Sequence, residues 1–214
     1  MILNKDACII CRMPKPSHRE KLLNVGLQVV HERGFGGASV RDIVQAAGVP
    51  QGSFTNHFAS KEAFGLEVVE RYLDGARALM QATLRNDALP PLQRLRAYVD
   101  GATDSRSDAG IRNGCLLGNF SAEANDCGEA LRLRVADAFA QVQDALAYCL
   151  RAAVAAGEIA PSTDCDDAAA FLLASLQGAI LLAKAQRSAR PVERFRQRAL
   201  AGLLAPADPV EAPR

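Results

Sequence analysis

One cysteine of this sequence stands in surroundings that would make its thiol reactive. Cys115 lies in the segment Arg112-Asn-Gly-Cys-Leu-Leu-Gly-Asn-Phe-Ser-Ala-Glu123, where a helix is expected to begin after Gly114. Backbone N–H groups at a helix start and the nearby Arg112 would both favour the thiolate, which reacts with electrophiles and oxidants. The alternative is a small buried apolar side chain, since free cysteine is among the most buried residue types.

The remaining cysteines complete no recognisable metal site. Cys8 and Cys11 form a Cys-x-x-Cys pair that could be half of a zinc site or a redox pair, but no second pair follows and His18 is a lone third candidate. We therefore expect no metal and no cofactor. Three further cysteines could act as resolving partners of Cys115, and spacing selects none of them: Cys127, Cys149 and Cys165.

A polar, uncharged helix face is the second feature that could do chemistry. Phe54 and Phe58 are four residues apart and face a core, which leaves six residues outward: Gln51, Gly52, Ser53, Thr55, Asn56 and His57. Their hydroxyl and amide groups suit hydrogen bonds to base edges, while the flanking cations Arg41 and Lys61 suit phosphates. An ordinary helical hairpin with a solvated face would show the same pattern.

Capping signals define the elements that position this face. Ser39 and Asp42 predict a capping box, and an apolar stripe follows it at spacings of three and four: Val40, Ile43, Val44 and Ala47. Gly48 predicts the end of that helix, Pro50 suits the first turn of the next, and Ser60 caps a third helix that begins at Lys61. The sequence therefore predicts a helix-turn-helix over residues 39–64.

Charge is concentrated at the same end of the chain. The whole sequence carries a net charge of +1, yet residues 12–61 contain seven basic residues against three acidic ones. A basic end on an acidic body is what attraction to phosphates requires, although random scatter of a few charges would also produce it.

The rest of the chain is predicted to be helical. Of 214 residues, 49% are hydrophobic, with no Trp, and breakers separate long apolar-periodic segments. We expect an all-α fold of about nine helices. Its expected parts are a disordered arm at 1–13, a DNA-binding domain at 14–61, a ligand-binding and dimerisation domain at 62–205 and a flexible tail at 206–214. Lys5, Arg12 and Lys15 could let the arm contact a minor groove.

Cellular location and catalysis are constrained by what the sequence lacks. We find neither a signal segment nor an apolar run of about 20 residues, so we expect a cytoplasmic protein that uses no membrane. All three histidines lie in the DNA-binding end, and the larger domain shows no Ser/His/Asp arrangement. We expect no enzyme, with a helical enzyme acting on a reactive small molecule through Cys115 as the alternative class.

Residues 18–72 resemble the DNA-binding domain of the TetR family of transcriptional repressors. The resemblance is carried by Glu32-Arg33-Gly34-Phe35, Ser39-Val40-Arg41-Asp42-Ile43, Ala47-Gly48-Val49, Gly52-Ser53-Phe54, His57-Phe58 and Ser60-Lys61-Glu62. The family usually has a tyrosine at the place of Thr55 that contacts the DNA backbone, so affinity or operator spacing is expected to differ here.

This resemblance implies a homodimer that binds a pseudo-palindromic double-stranded DNA operator and releases it when a small-molecule effector binds. The last two helices, rich in small side chains, would form the dimer interface, although a purely intrachain core would show the same pattern. An activator or a non-specific DNA-coating protein remains a further possibility.

The segments Gly114-Cys115-Leu116 and Ser121-Ala122-Glu123 resemble the NemR/AcuR-like branch of the family. In NemR-like members a cysteine at this position senses reactive species, and Lys184 resembles a lysine near it. We therefore expect Cys115 and Lys184 to sense a small-molecule effector such as an electrophile, although Lys184 could also be a solvated residue at a helix end. Candidate pocket-lining residues, each of which could be simple core, are Leu79, Tyr98, Phe120, Phe139 and Phe171.

Overall fold

The computed structural model describes residues 17–103 and 108–204, and those residues form ten α-helices. The helices are α1 (His18–Arg33), α2 (Val40–Ala47), α3 (Gly52–His57), α4 (Lys61–Ala82), α5 (Pro91–Ala102), α6 (Asp108–Asn113), α7 (Leu116–Ala122), α8 (Glu129–Ala155), α9 (Cys165–Gln186) and α10 (Arg190–Leu204). The prediction of an all-α fold is confirmed. The arm at 1–13, with its Cys8–Cys11 pair, and the tail at 206–214 lie outside the described residues.

The tenth helix is α6, which begins within the polar segment 104–110, whose composition predicts a loop. Its last turn is closed by the Gly114 N–H, which donates to the Gly110 carbonyl over 3.0 Å. Polar composition alone predicted a loop because a six-residue helix offers too few positions to show a helical period. The chain then turns at Gly114 and begins α7.

The helix-turn-helix forms from the local signals in the sequence. The Ser39 hydroxyl accepts from the Asp42 N–H, and the Asp42 carboxylate accepts from the Ser39 N–H, so the capping box is complete. Gly48 ends α2 in the left-handed conformation at φ 60°, which glycine adopts without steric cost. This tight turn sets α3 against α1 and α2.

Two apolar clusters hold the fold together. The first joins α1–α4 to α7 and the first half of α8, and Phe64 and Phe120 are almost completely buried in it. The second joins α4, α5, α8 and α9, with Leu146 and Leu150 at its centre. Phe139 of α8 packs against both clusters. The helix-turn-helix therefore shares its core with α7 and α8 rather than standing apart from them.

Helix α9 has one face that the described residues leave uncovered. Phe171 is 69% exposed, Leu181 66% and Leu182 51%, whereas six other residues of the helix are buried against its neighbours. Within the described residues, α9 is the one helix long and apolar enough to cross a membrane on length and composition. A helix of a water-soluble protein that is buried on one side and pairs with another protein on the other passes the same test.

Candidate functional site

The outer face of α3 presents most of the polar side chains that the sequence predicted there. Gln51, Gly52, Asn56 and His57 are exposed, whereas the Phe54 and Phe58 rings are buried. Thr55 is exposed as well, and its hydroxyl donates to the Gly52 carbonyl in the preceding turn over 3.1 Å. The face is therefore polar and accessible, as hydrogen bonding to base edges requires.

Ser53 is a correction to that prediction. Its side chain is buried, and its Oγ and the Nδ1 of His18 lie 3.2 Å apart in a hydrogen bond. The six-residue helix α3 leans on α1, so a residue in its first turn faces α1 instead of solvent. The outward orientation predicted for Ser53 is wrong, and the hydroxyl links the two helices.

The two cations predicted to meet phosphates differ in their surroundings. Arg41 is exposed on the first turn of α2. Lys61 is half-buried, with its Nζ 4.6 Å from the centre of the Phe35 ring and donating to the Gly36 carbonyl over 3.5 Å. The ring and the carbonyl hold the ammonium beside the helix-turn-helix, a position from which a phosphate contact is possible.

Cys115 is the N-cap residue of α7, as the sequence predicted, and it is half-buried. The Tyr72 hydroxyl of α4 donates to its Sγ over 3.9 Å. Beside it lies a cavity of about 190 Å³ between α7 and α9, into which both Cys115 and Lys184 open. The structure therefore brings the two predicted sensing residues to one cavity, whereas Arg112 is exposed on α6.

Lys184 is held in that cavity by its own hydrogen bond. The Nζ donates to Asn119 Oδ1 over 2.7 Å, and the Asn119 amide donates to the carbonyls of Asn113, at 3.0 Å, and of His31, at 3.4 Å. His31 Nε2 in turn donates to the Gly114 carbonyl over 2.9 Å. A continuous network thus links α9, the start of α7 and the end of α1.

Both tyrosines beside this site are neutral phenols. Burial, with a smaller contribution from the nearby Cys115, raises the pKa of Tyr98 to about 12. The same two causes raise the pKa of Tyr72 well above its usual range. Tyr72 therefore keeps its proton at any physiological pH and serves Cys115 as a hydrogen-bond donor.

The other described cysteines are unsuited to act as thiolates. Burial raises the pKa of Cys149 to about 11, and it also raises the pKa values of Cys127 and Cys165. Each of the three donates its S–H to a backbone carbonyl. Within the described residues no group of three or more His, Cys, Asp and Glu side chains could hold a metal ion.

The five residues predicted to line one pocket are divided between the two apolar clusters and the surface of α9, and Phe139 packs against both clusters. Phe120 packs in the first cluster against Phe35, with ring centres 5.3 Å apart, while Leu79 and Tyr98 pack in the second. Phe171 instead lines an open apolar groove of about 390 Å³ between α9 and α10. Aromatic residue type predicted burial correctly for Tyr98 and Phe120, but it could not say which cluster each side chain joins.

Sequence reasoning missed the residues that connect the site to the DNA-binding end. His31, Tyr72 and Asn119 contact the Cys115 loop from α1, α4 and α7. In the sequence His31 is one of three histidines of the DNA-binding end, on a helix with many other polar residues. Nothing local to it identifies a partner 83 positions away.

His31 makes stability depend on pH. Burial lowers its pKa below the ordinary value of 6.5, an effect that the Gly114 hydrogen bond opposes and the Lys184 charge reinforces. The folded state therefore binds fewer protons than the unfolded state, so stability is present above about pH 6.5 and falls as pH drops towards the lowered pKa. We expect the melting midpoint to fall between pH 7 and pH 5.5 by more in wild type than in His31→Gln. Equal slopes in the two proteins would contradict this assignment.

Fold and site together define a helical protein with a helix-turn-helix DNA-binding end and a larger helical domain that holds a small cavity. Residues 22–68 match the family model described as bacterial regulatory proteins, tetR family, and residues 91–199 match the tetracyclin repressor-like C-terminal domain. The chain belongs to the TetR family of transcriptional regulators.

Known proteins align with this chain over most of their length. The HTH-type transcriptional repressor DhaR of Mycobacterium sp. (strain GP1) is 36% identical over 183 residues, which are 86% of this chain and 90% of DhaR. The transcriptional regulator AcuR of Cereibacter sphaeroides is 32% identical and aligns with 82% of this chain and 80% of its own. The crystal structure of reduced Escherichia coli NemR has a TM-score of 0.77 at 30% identity and covers 88% of this chain and 98% of its own.

Proposed function

We propose that this protein is a cytoplasmic, homodimeric, non-enzymatic repressor that binds a pseudo-palindromic DNA operator and releases it when a small effector occupies the Cys115–Lys184 cavity. DNA binding is supported by the accessible polar face of α3 and by Arg41 and Lys61 beside it. Dimerisation is supported by the uncovered apolar face of α9. Because DhaR and NemR are named as transcriptional repressors, repression is the expected outcome of binding.

The cavity itself carries the effector proposal. It places a thiol and an ammonium on the walls of one space of about 190 Å³, with the amides of Asn119 and Gln177 beside them. A cavity of roughly 150 Å³ holds a molecule the size of benzene. The effector is therefore small, with a polar group for Lys184 and the amides.

We infer that this effector is an electrophile, because a thiol lies on the wall of the cavity. A thiol adds across a carbon–carbon double bond conjugated to a carbonyl, forming an S–C bond while the π bond breaks. The proton lost from the thiol ends on the carbon next to the carbonyl. Cys115 suits this reaction because it lines the cavity, whereas burial raises the pKa values of the other described cysteines, whose S–H groups donate to backbone carbonyls.

An adduct at Cys115 would favour the form of the protein that does not bind DNA. The adduct fills the space between α7 and α9 and removes the thiol that accepts from Tyr72, so the packing of α7 changes, and α7 is bonded to the end of α1 through Asn119. The effector changes DNA binding only by its different affinity for the two forms. A tenfold release requires about 1.4 kcal/mol of such coupling.

The experiment measures binding to a duplex that the wild-type protein selects from a random-sequence DNA pool. N-ethylmaleimide is the probe, and a Cys8→Ser/Cys11→Ser background removes the N-terminal thiols. In this background we expect the reagent to raise the dissociation constant at least tenfold, because alkylated Cys115 changes the packing of α7 against α9. Cys115→Ser should bind the duplex and change by less than twofold.

Cys165→Ser is the matched control, since Cys165 is also half-buried but lies at the start of α9, far along that helix from Lys184. It should respond to N-ethylmaleimide as fully as the background protein does. If Cys115→Ser releases DNA as the background protein does, the cysteine is not the sensor and a reversible ligand becomes the better assignment. Selection of no duplex by wild type would contradict the repressor function itself.

A further inference from the structure

A carboxylate at the end of α7 binds the backbone that leads into the helix-turn-helix. Glu123 accepts from two successive N–H groups, that of Phe35 over 3.1 Å and that of Gly36 over 2.5 Å. These residues follow α1 and precede Ser39, the residue that caps α2. Hydrogen bonds to an ionised acceptor are about twice as strong as neutral ones, and two of them to one rigid segment fix its orientation.

The turn is shaped to admit this carboxylate. A Cβ atom at Gly34 would lie 2.3 Å from Glu123 Oε1, and one at Gly36 would lie 3.2 Å from Oε2. Gly34 also has φ 79°, a conformation that other residues rarely adopt. The glycines on either side of Phe35 thus leave the space that the carboxylate occupies.

An aromatic contact reinforces the bond on the same side. Phe120, one turn before Glu123 on α7, packs against the Phe35 ring, and Lys61 lies 4.6 Å from the centre of that ring. The Gly36 carbonyl accepts from Lys61, the first residue of α4. The turn is therefore held by α7 and by α4 at once.

The opposite end of α7 borders the Cys115–Lys184 cavity. Seven residues of α-helix span about 10 Å, so a displacement at Cys115 reaches Glu123 through one short rigid element. The cavity therefore borders the start of α7, and the Phe35–Gly36 turn is bound to its end.

We propose that Glu123 is a positioning residue through which α7 sets the orientation of the helix-turn-helix for DNA binding. This inference rests on the proposed function and adds the route between the cavity and the DNA. Glu123 does not touch DNA; it acts through the Phe35–Gly36 turn. Loss of its two hydrogen bonds leaves α2 and α3 able to adopt orientations that do not fit the two half-sites.

The test compares variants on the duplex that the wild-type protein selects, with no effector present. Glu123→Gln retains the length of the side chain but loses the charge, and it should bind about tenfold more weakly. Gly36→Ala would place a Cβ atom 3.2 Å from Glu123 Oε2, so the carboxylate must move by a few tenths of an ångström, and since the Gly36 backbone is not in the left-handed region, the variant should weaken binding by a smaller factor than Glu123→Gln does. The double variant should bind no more weakly than the weaker single variant, because both changes break one contact.

Asp126→Asn is the matched control, since it removes the same charge from an exposed side chain just after α7. It should stay within twofold of wild type. Amide hydrogen exchange separates positioning from general stability: in Glu123→Gln, exchange should rise at least tenfold at Phe35 and Gly36 while the α2 and α3 amides stay unchanged.

Three results would overturn the inference. The first is Glu123→Gln binding within twofold of wild type, and the second is a double variant whose loss of affinity equals the product of the two single losses. The third is faster exchange across the whole helix-turn-helix, which would make Glu123 a stability residue only. In each case wild type still binds its duplex, so the proposed function survives; if wild type selects none, both fail.

Discussion

Phe171→Arg combined with Leu182→Arg is expected to make the protein a monomer that binds the selected duplex at least a hundredfold more weakly than wild type does. Both side chains lie on the uncovered face of α9 and are more than half exposed in the isolated chain. They are three helical turns apart, so two positive charges would interrupt the apolar face near both of its ends.

The size of this effect follows from how a dimer binds two half-sites. Once one half-site is occupied, the second recognition helix is held at a high effective concentration, which commonly raises affinity by a factor of 10²–10⁴. Small residues between the two positions, Ala174 and Gly178, would let a partner helix approach closely, whereas burying an unpaired arginine there is costly. A monomer loses the whole of this advantage.

Light scattering after size exclusion measures the mass, and fluorescence anisotropy measures duplex binding. Leu133→Arg places the same charge at a side chain that is 53% exposed on α8, and it should remain dimeric with wild-type affinity. Circular dichroism should show unchanged helix content in both variants. A double α9 variant that stays dimeric and binds normally would remove α9 from the interface.

The parts of this structure that the sequence predicts well are set by local interactions. The capping box at Ser39, the left-handed Gly48 and the polar face after it depend on residues within a few positions of one another. Such short-range rules identify a helix-turn-helix without knowledge of the rest of the chain. Position Ser53 is instructive because its neighbours in sequence indicated a solvent-facing residue, while a contact to His18, 35 residues away, buried it.

The contacts between the DNA-binding end and the larger helical domain are long-range in sequence. His31 bonds to Gly114 across 83 positions, and Glu123 bonds to Gly36 across 87. The sequence indicated Cys115 through its position at a helix start and Lys184 through family resemblance, and the structure places both at one cavity. The sequence does not indicate the role of Tyr72, because a tyrosine in an amphipathic helix has the same pattern whether its hydroxyl contacts water or a thiol.

Phe64→Ala is expected to lower the free energy of unfolding by about 3–5 kcal/mol, the usual cost of emptying a buried phenylalanine site. Phe64 of α4 is completely buried, and its ring centre lies 5.2 Å from that of Phe54 and 5.0 Å from that of Phe58. A Cβ atom at Gly26 of α1 would lie 2.3 Å from its Cζ, so α1 packs directly against the ring. The Phe64 side chain thus packs against the buried side of α3 and sets the distance between α3 and α1.

Removal of the Phe64 ring should weaken DNA binding more than the global decrease in the free energy of unfolding would predict. Phe54 and Phe58 are the buried side of α3, so a cavity beneath them releases the helix whose other side carries the polar face. We expect the melting midpoint to fall by roughly 10 °C and duplex binding to be lost while α8 and α9 remain folded. Differential scanning calorimetry and amide exchange of α3 against α8 measure the two effects.

Leu133→Ala, a deletion at an exposed site, should change stability by less than about 0.5 kcal/mol. A Phe64→Ala protein with wild-type melting and wild-type duplex binding would mean that α3 is held by other contacts, because a void of this size cannot be neutral in a packed core.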